Sequence, residues 1–223
     1  MKNKDLGSLL KDNLKFSEFL SKNLGIEDNF KIIKSKVLNY IPAMAYSAGY
    51  NQIGISNETK RIMYFISKKE ELKELREGCK FIIYHELGHS HDTNYRNKNV
   101  RDYFNRLLYV SKDNDIIEAF PESEATRYAI SKSDNYVDAL AGFLAISSFL
   151  YRNKIENTIY GFSEYFSNVR IKREDKRKLV NSMSDFRLSK ENYEKLTEKA
   201  DNYLNKLNKN FARSRLYWVK ERN

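Results

Sequence analysis

The residues best equipped for chemistry lie together at His85-Glu86-Leu87-Gly88-His89, the pattern H-E-x-x-H. On an α-helix, residues four apart differ by about 40° in direction and about 6 Å in height, so both imidazoles project toward one ion. Glu86 stands about 100° round the same helix, badly aimed for a ligand but able to reach a water on that ion, which is where a base belongs. Random order of this composition yields the pattern about 0.003 times per chain, which makes chance a poor explanation. The chain's three histidines also fall within seven residues, unlike scattered surface histidines.

A catalytic zinc takes three protein ligands and keeps one position open. Cys79 is the only cysteine, so neither a cysteine cluster nor an intrachain disulfide is available. Tyr95 stands six residues after His89, which excludes the three-histidine arrangement. His91, two residues past His89, points about 200° away if the helix continues, toward substrate, solvent or a ligand's partner. A carboxylate is the expected third ligand, and Glu118, Glu122 and Glu124 lie on or near a helix downstream. Solvated carboxylates in a first helical turn are the plainer reading of each. Gly88 either ends the helix soon after His89 or admits another backbone close by.

These residues need helices and a sheet to hold them. Leu9, Leu10, Leu14, Phe16, Phe19, Leu20 and Leu24 recur at helical intervals, with Gly25 as a stop, and predict a first helix. Asp28 is placed to cap a second, with Phe30, Ile33, Val37 and Ile41 on one face and Pro42 past its end. Between Tyr46 and Ser67 a hairpin or two adjacent strands is expected, with a turn at Ser56 to Thr59 and strand formers from Arg61 to Ile66. Ser67 and Glu70 match a capping box, so a long helix is expected from about Lys68 through His89. Val100 to Val110 reads as a short amphipathic helix and Ser111 to Asp115 as a loop. Pro121 suits the start of a helix carrying Glu122, Ala125 and Ala129. Val137 to Tyr151 is apolar but shorter than the ~20 residues of a membrane span, hence a buried helix. A long helix with an apolar stripe follows Ser189.

Tyr84 to His89, followed by Glu122-Ser123-Glu124-Ala125-Thr126-Arg127-Tyr128-Ala129, resembles the gluzincin peptidases, especially the ImmA/IrrE type and more distantly the CaaX-prenyl-protease type. In those families a downstream helix reads E-x-x-A-[ND]-x-[FY]-A, and its first Glu is the third zinc ligand. The resemblance therefore implies Glu122 as that ligand, a single Zn2+ as cofactor and a peptide as substrate. Small side chains at Ala125 and Ala129 also suit a helix that must approach the histidine helix closely. Thr126 replaces the usual Asn or Asp that orients a zinc-binding histidine, with shorter reach. The resemblance covers about residues 45 to 130.

The expected architecture is α+β and mostly helical. A zincin-like metallopeptidase domain spans residues 1–151, with a small sheet next to the H-E-x-x-H helix, and a basic helical extension spans 152–223. Glu86 would serve as general base, a peptide would lie along an exposed strand edge from the Asn51 to Ile66 region, and Tyr84, Tyr128 or His91 would serve as oxyanion donor. Of the net charge of +10, +8 resides in the last third, where 18 basic residues meet 10 acidic ones. That excess supports an alternative: a catalytically silent protein on the same scaffold, binding nucleic acid or an acidic protein through residues 152–223. Met1 to Asp12 hold no apolar run of signal-peptide length, so a cytoplasmic location is expected.

Overall fold

The computed structural model describes residues 3–34, 45–91, 125–126, 128–152, 154–155 and 190–212. The expected helix at Val100 to Val110 and loop at Ser111 to Asp115 lie outside them, as do Val37, Ile41, Pro42, Pro121, Glu118, Glu122 and Glu124.

The single helix expected at the start is two. Helix α1 covers Asn3–Lys11 and α2 covers Asn13–Leu24, because the Asp12 side chain accepts from Lys15 N–H at 3.1 Å and starts a new helix. Gly25, at φ 68°, ends α2 in the left-handed conformation that a residue without Cβ adopts freely. The second helix expected from Asp28 begins instead as a strand, β1 (Lys31–Ile33). Phe30 and Ile32 are buried and Lys31 is exposed, an alternation of period two that the three- and four-residue spacing from Phe30 to Ile33 concealed. Its amides are held from outside: Lys31 N–H donates to Asn51 O at 2.8 Å and Ile32 N–H to Ser17 Oγ at 2.8 Å.

A hairpin does form, but not across the expected turn: β2 (Ala45–Gly49) and β3 (Gln52–Ile55) pair antiparallel, with Asn51 at φ 54° between them, so that Ile53 and Ile55 lie on its second strand and not its first. β3 also pairs in parallel with β1, Ile32 opposite Ile53, giving the order β1-β3-β2. β3 is therefore central and offers no free edge. From Ser56 onward the expectation of a turn and a second strand fails. Ser56 caps a helix, α3 (Asn57–Lys68), accepting from Thr59 N–H at 3.1 Å. Ile62, Phe65 and Ile66 prefer strands in isolation, but burial in the core overrides that preference. The capping box at Ser67 does not form, because its hydroxyl donates to Met63 O at 2.6 Å inside α3. A 3-10 stretch, Glu70–Leu75, then separates α3 from α4 (Arg76–His91), so the expected long helix begins eight residues later than Lys68.

Helix α5 (Tyr136–Tyr151) is the buried helix expected, capped by the Asn135 side chain, which accepts from Val137 and Asp138 amides at 3.0 and 3.3 Å. It crosses α4 glycine on glycine. A Cβ on Gly142 would lie 2.8 Å from both Cα and N of Gly78, and one on Gly78 would strike the Gly142 backbone, so both positions must lack a side chain. Helix α6 (Lys190–Ala212) lays its apolar stripe on α5 within the chain. Leu196, Ala200, Leu207 and Phe211 are buried, and the Phe211 ring meets Phe149 edge-on at 5.0 Å. At the rim, Asp138 accepts from Tyr203 Oη at 2.6 Å and pairs with Lys199 at 2.5 Å, and Lys206 pairs with Glu74 at 3.1 Å. Residues 190–212 contain five lysines and four carboxylates, so the basic excess belongs to residues 152–189 and 213–223. The whole is α+β and mostly helical, with the small sheet packed through β2 and β3 on α4. Among the described residues no helix is long and apolar enough to cross a membrane.

Candidate metal centre

Helix α4 is anchored by Phe81, Ile82, Ile83 and Leu87, all buried, and it runs on past Gly88 to His91. His85, Glu86 and His89 emerge half-buried at its far end. The rings of His85 and His89 meet edge to face, centroids 4.9 Å apart and planes at 90°. One turn earlier, Phe81 stacks on the other side of His85 at 6.0 Å and 26°, which restricts how that imidazole can turn.

A second helical stretch, residues 125–126 and 128–131, packs on this end of α4. Gly88 makes the approach possible: a Cβ there would lie 2.7 Å from Ala125 Cα and 2.9 Å from Ala125 O. Close approach, not helix termination, is thus the reason for glycine at 88. Ala125 and Ala129 are fully buried. Thr126, also buried, brings its Oγ1 to 3.3 Å from His85 Nδ1. An Nδ1–H donated to that hydroxyl leaves the ring's lone pair on Nε2, the tautomer a metal needs on that nitrogen.

Behind the histidines lies a polar knot that sequence reasoning missed. Asp28, read above as a helix cap, accepts from Tyr128 Oη with one carboxylate oxygen and pairs with Lys132 Nζ at 3.0 Å with the other. Glu27 N–H donates to Tyr84 Oη at 3.3 Å. The Tyr84 and Tyr128 rings lie edge to face at 6.3 Å, and the Lys132 ammonium sits 5.8 and 5.5 Å from their centroids. Burial raises both phenols above their ordinary range, and the Asp28 carboxylate raises Tyr128 further. The hydrogen bond from Tyr128 to Asp28 commits that phenol's one proton, so Tyr128 is no donor for an oxyanion in this arrangement. No local signal marks Asp28 and Lys132 as partners, since 104 residues separate them.

The donor set fits a zinc ion as far as it is described. Two imidazoles share one helix face, and a hydroxyl contacts the nitrogen of His85 that faces away from a metal bound at Nε2. Among the described residues no third His, Cys, Asp or Glu joins them. The chain matches no family model, no curated protein and no solved structure.

Proposed function

We propose that this chain is a zinc-dependent peptidase of the gluzincin kind, with His85, His89 and Glu122 holding one Zn2+ and Glu86 as general base. The observation that carries the reading is the meeting of the His85 and His89 rings on α4 at the point where Thr126 contacts His85. Glu122 precedes Thr126 by four residues, the spacing that would put the two on one face if that segment were helical, and the resemblance to the gluzincin motif favours it as ligand. Glu124, two residues before Thr126, would be turned about 200° away on the same helix.

A zinc ion held by His85, His89 and Glu122 would supply Lewis acidity, lowering the pKa of water and polarising a carbonyl oxygen. Glu86, half-buried beside His85, takes a proton from the attacking water and passes it to the departing amine. Thr126 and Phe81 hold the His85 ring in orientation. An extended peptide would pair with the outer edge of β2, the strand of the sheet with most contact to α4, rather than with central β3. The location proposed for this activity is the cytoplasm.

The test is metal analysis and hydrolysis of a mixed peptide library by wild type and Glu86→Gln. Wild type should carry one zinc per chain and cleave, while Glu86→Gln keeps the zinc and loses turnover by about 10²–10⁴-fold. Equal turnover in the two proteins would remove Glu86 from the mechanism, and a wild type without affinity for zinc would refute the reading as a whole.

A further inference from the structure

Three segments converge on the turn at Glu27 and Asp28: the turn itself, between α2 and β1; helix α4, through Tyr84 Oη, which accepts from Glu27 N–H; and the 125–132 region, through Tyr128 and Lys132 on the Asp28 carboxylate. Tyr84 immediately precedes His85, and Tyr128 follows Thr126 by two residues. The knot therefore ties together the helix that bears both histidines and the stretch that bears the hydroxyl on His85. Where the two stretches come closest, Gly88 and Ala125 meet through backbone and contribute little side-chain area. The hydrogen bond the knot serves has no slack: at 3.3 Å, Thr126 Oγ1 is near the limit of useful reach to His85 Nδ1, and a slide of a few tenths of an ångström would lose it.

We infer that Asp28 is a positioning residue for the metal centre: its carboxylate holds Tyr128 and Lys132 to the turn whose Glu27 amide is bonded to Tyr84 of α4, and so sets how tightly the centre holds its ion. The inference rests on the zinc reading above. Both oxygens of the carboxylate are needed, one for the phenol and one for the ammonium, and such charge-assisted bonds hold geometry better than neutral ones. Tyr128 and Lys132 lie four residues apart, so one carboxylate grips the same face of the stretch at two heights.

The fold provides its own control. Asp138 holds Tyr203 and Lys199 through the same kinds of contact, at the interface of α5 with α6. The experiment is chelator competition for zinc, with thermal unfolding of the metal-free proteins, for wild type, Asp28→Ala, Asp28→Asn, Tyr128→Phe and Asp138→Ala. Asp28→Ala should bind zinc about 10–100-fold more weakly, the range seen when residues that orient metal ligands are lost. Asp28→Asn, which keeps an acceptor for Tyr128, should fall between it and wild type, and Asp138→Ala should bind as wild type does even where its melting temperature drops as far. If Asp28→Ala fails to fold, the ordering of Asp28→Asn and Tyr128→Phe against Asp138→Ala carries the same information. Wild-type affinity in the Asp28 and Tyr128 variants, or an equal loss in Asp138→Ala, overturns the positioning role while leaving the zinc reading intact. A wild type that binds no zinc overturns both.

Discussion

Two carboxylates in this molecule do the same thing in different company. Asp28 and Asp138 each hold a tyrosine hydroxyl and a lysine ammonium, and in both cases the tyrosine and lysine are four residues apart on a partner helical stretch. Around Asp138 the knot sits at the edge of a broad apolar seam, where Leu196, Ala200, Leu207 and Phe211 already dock α6. Around Asp28 it sits next to a contact made by glycine and alanine. Hydrophobic burial scales with area, so the first helix is held chiefly by its stripe, whereas the second depends on polar contacts for its exact seat. The same chemistry thus contributes redundancy in one place and registration in the other.

The contrast predicts its strongest effect at Gly88. Gly88→Ala places a Cβ 2.7 Å from Ala125 Cα, which must push the 125–131 stretch away from α4. We expect a stability loss of about 1–3 kcal/mol by urea unfolding together with a loss of zinc affinity larger than that of Asp28→Ala. Unchanged zinc binding would mean that the spacing of these two elements does not matter to the centre.

Thr126→Val comes next, since it keeps the shape and removes the hydroxyl from His85. Zinc affinity should fall about 10–100-fold while Thr126→Ser stays near wild type. A matching drop in both variants would point to packing instead of the hydrogen bond.

Tyr203→Phe removes one bond from the Asp138 knot and should cost about 1 kcal/mol of stability with no change in zinc affinity. The same substitution at Tyr128 should change affinity more than stability, and reversal of that order would dissolve the comparison.

The smallest effect expected is in acid. Burial opposes ionisation of Asp138, but Lys199 and Tyr203 outweigh it and hold the carboxyl below its ordinary value of 3.8. A depressed carboxyl contributes stability that is present above its unfolded pKa and lost as pH falls through its folded one. The gap in melting temperature between wild type and Asp138→Asn should therefore be full above about pH 5 and narrow toward about pH 2. A gap that stays constant in acid would show that the charge of Asp138 contributes nothing.

What could be read from the sequence was what depends on neighbours along the chain. The single helix bearing His85, Glu86 and His89, the stop at Gly25, the strand holding Ile53 and Ile55 and the helices beginning at Tyr136 and Lys190 all follow from local spacing. The small residues at Ala125 and Ala129 were legible as a close approach because a helix needs a reason to forgo larger apolar side chains. Errors arose where two local codes competed. Phe30 to Ile33 fits either period, and only the partners of β1, Asn51 and Ser17, decide for a strand. Ser56 and Ser67 both resemble caps, and the strand-forming Ile62, Phe65 and Ile66 between them argued for the wrong one. The knot at Asp28 and the pairing of Gly78 with Gly142 join residues far apart in the chain, which no local pattern encodes.

That glycine pair has a mechanical consequence for the centre at the other end of α4. Where two backbones touch with no side chain between them, the crossing acts as a fulcrum. Gly88 is ten residues along, about 15 Å of helix, so a rocking of about 4° at Gly78 displaces the imidazoles by about 1 Å. Alterations around residue 142 should therefore reach the His85 and His89 rings by leverage, and a change in zinc affinity on substitution there would register it.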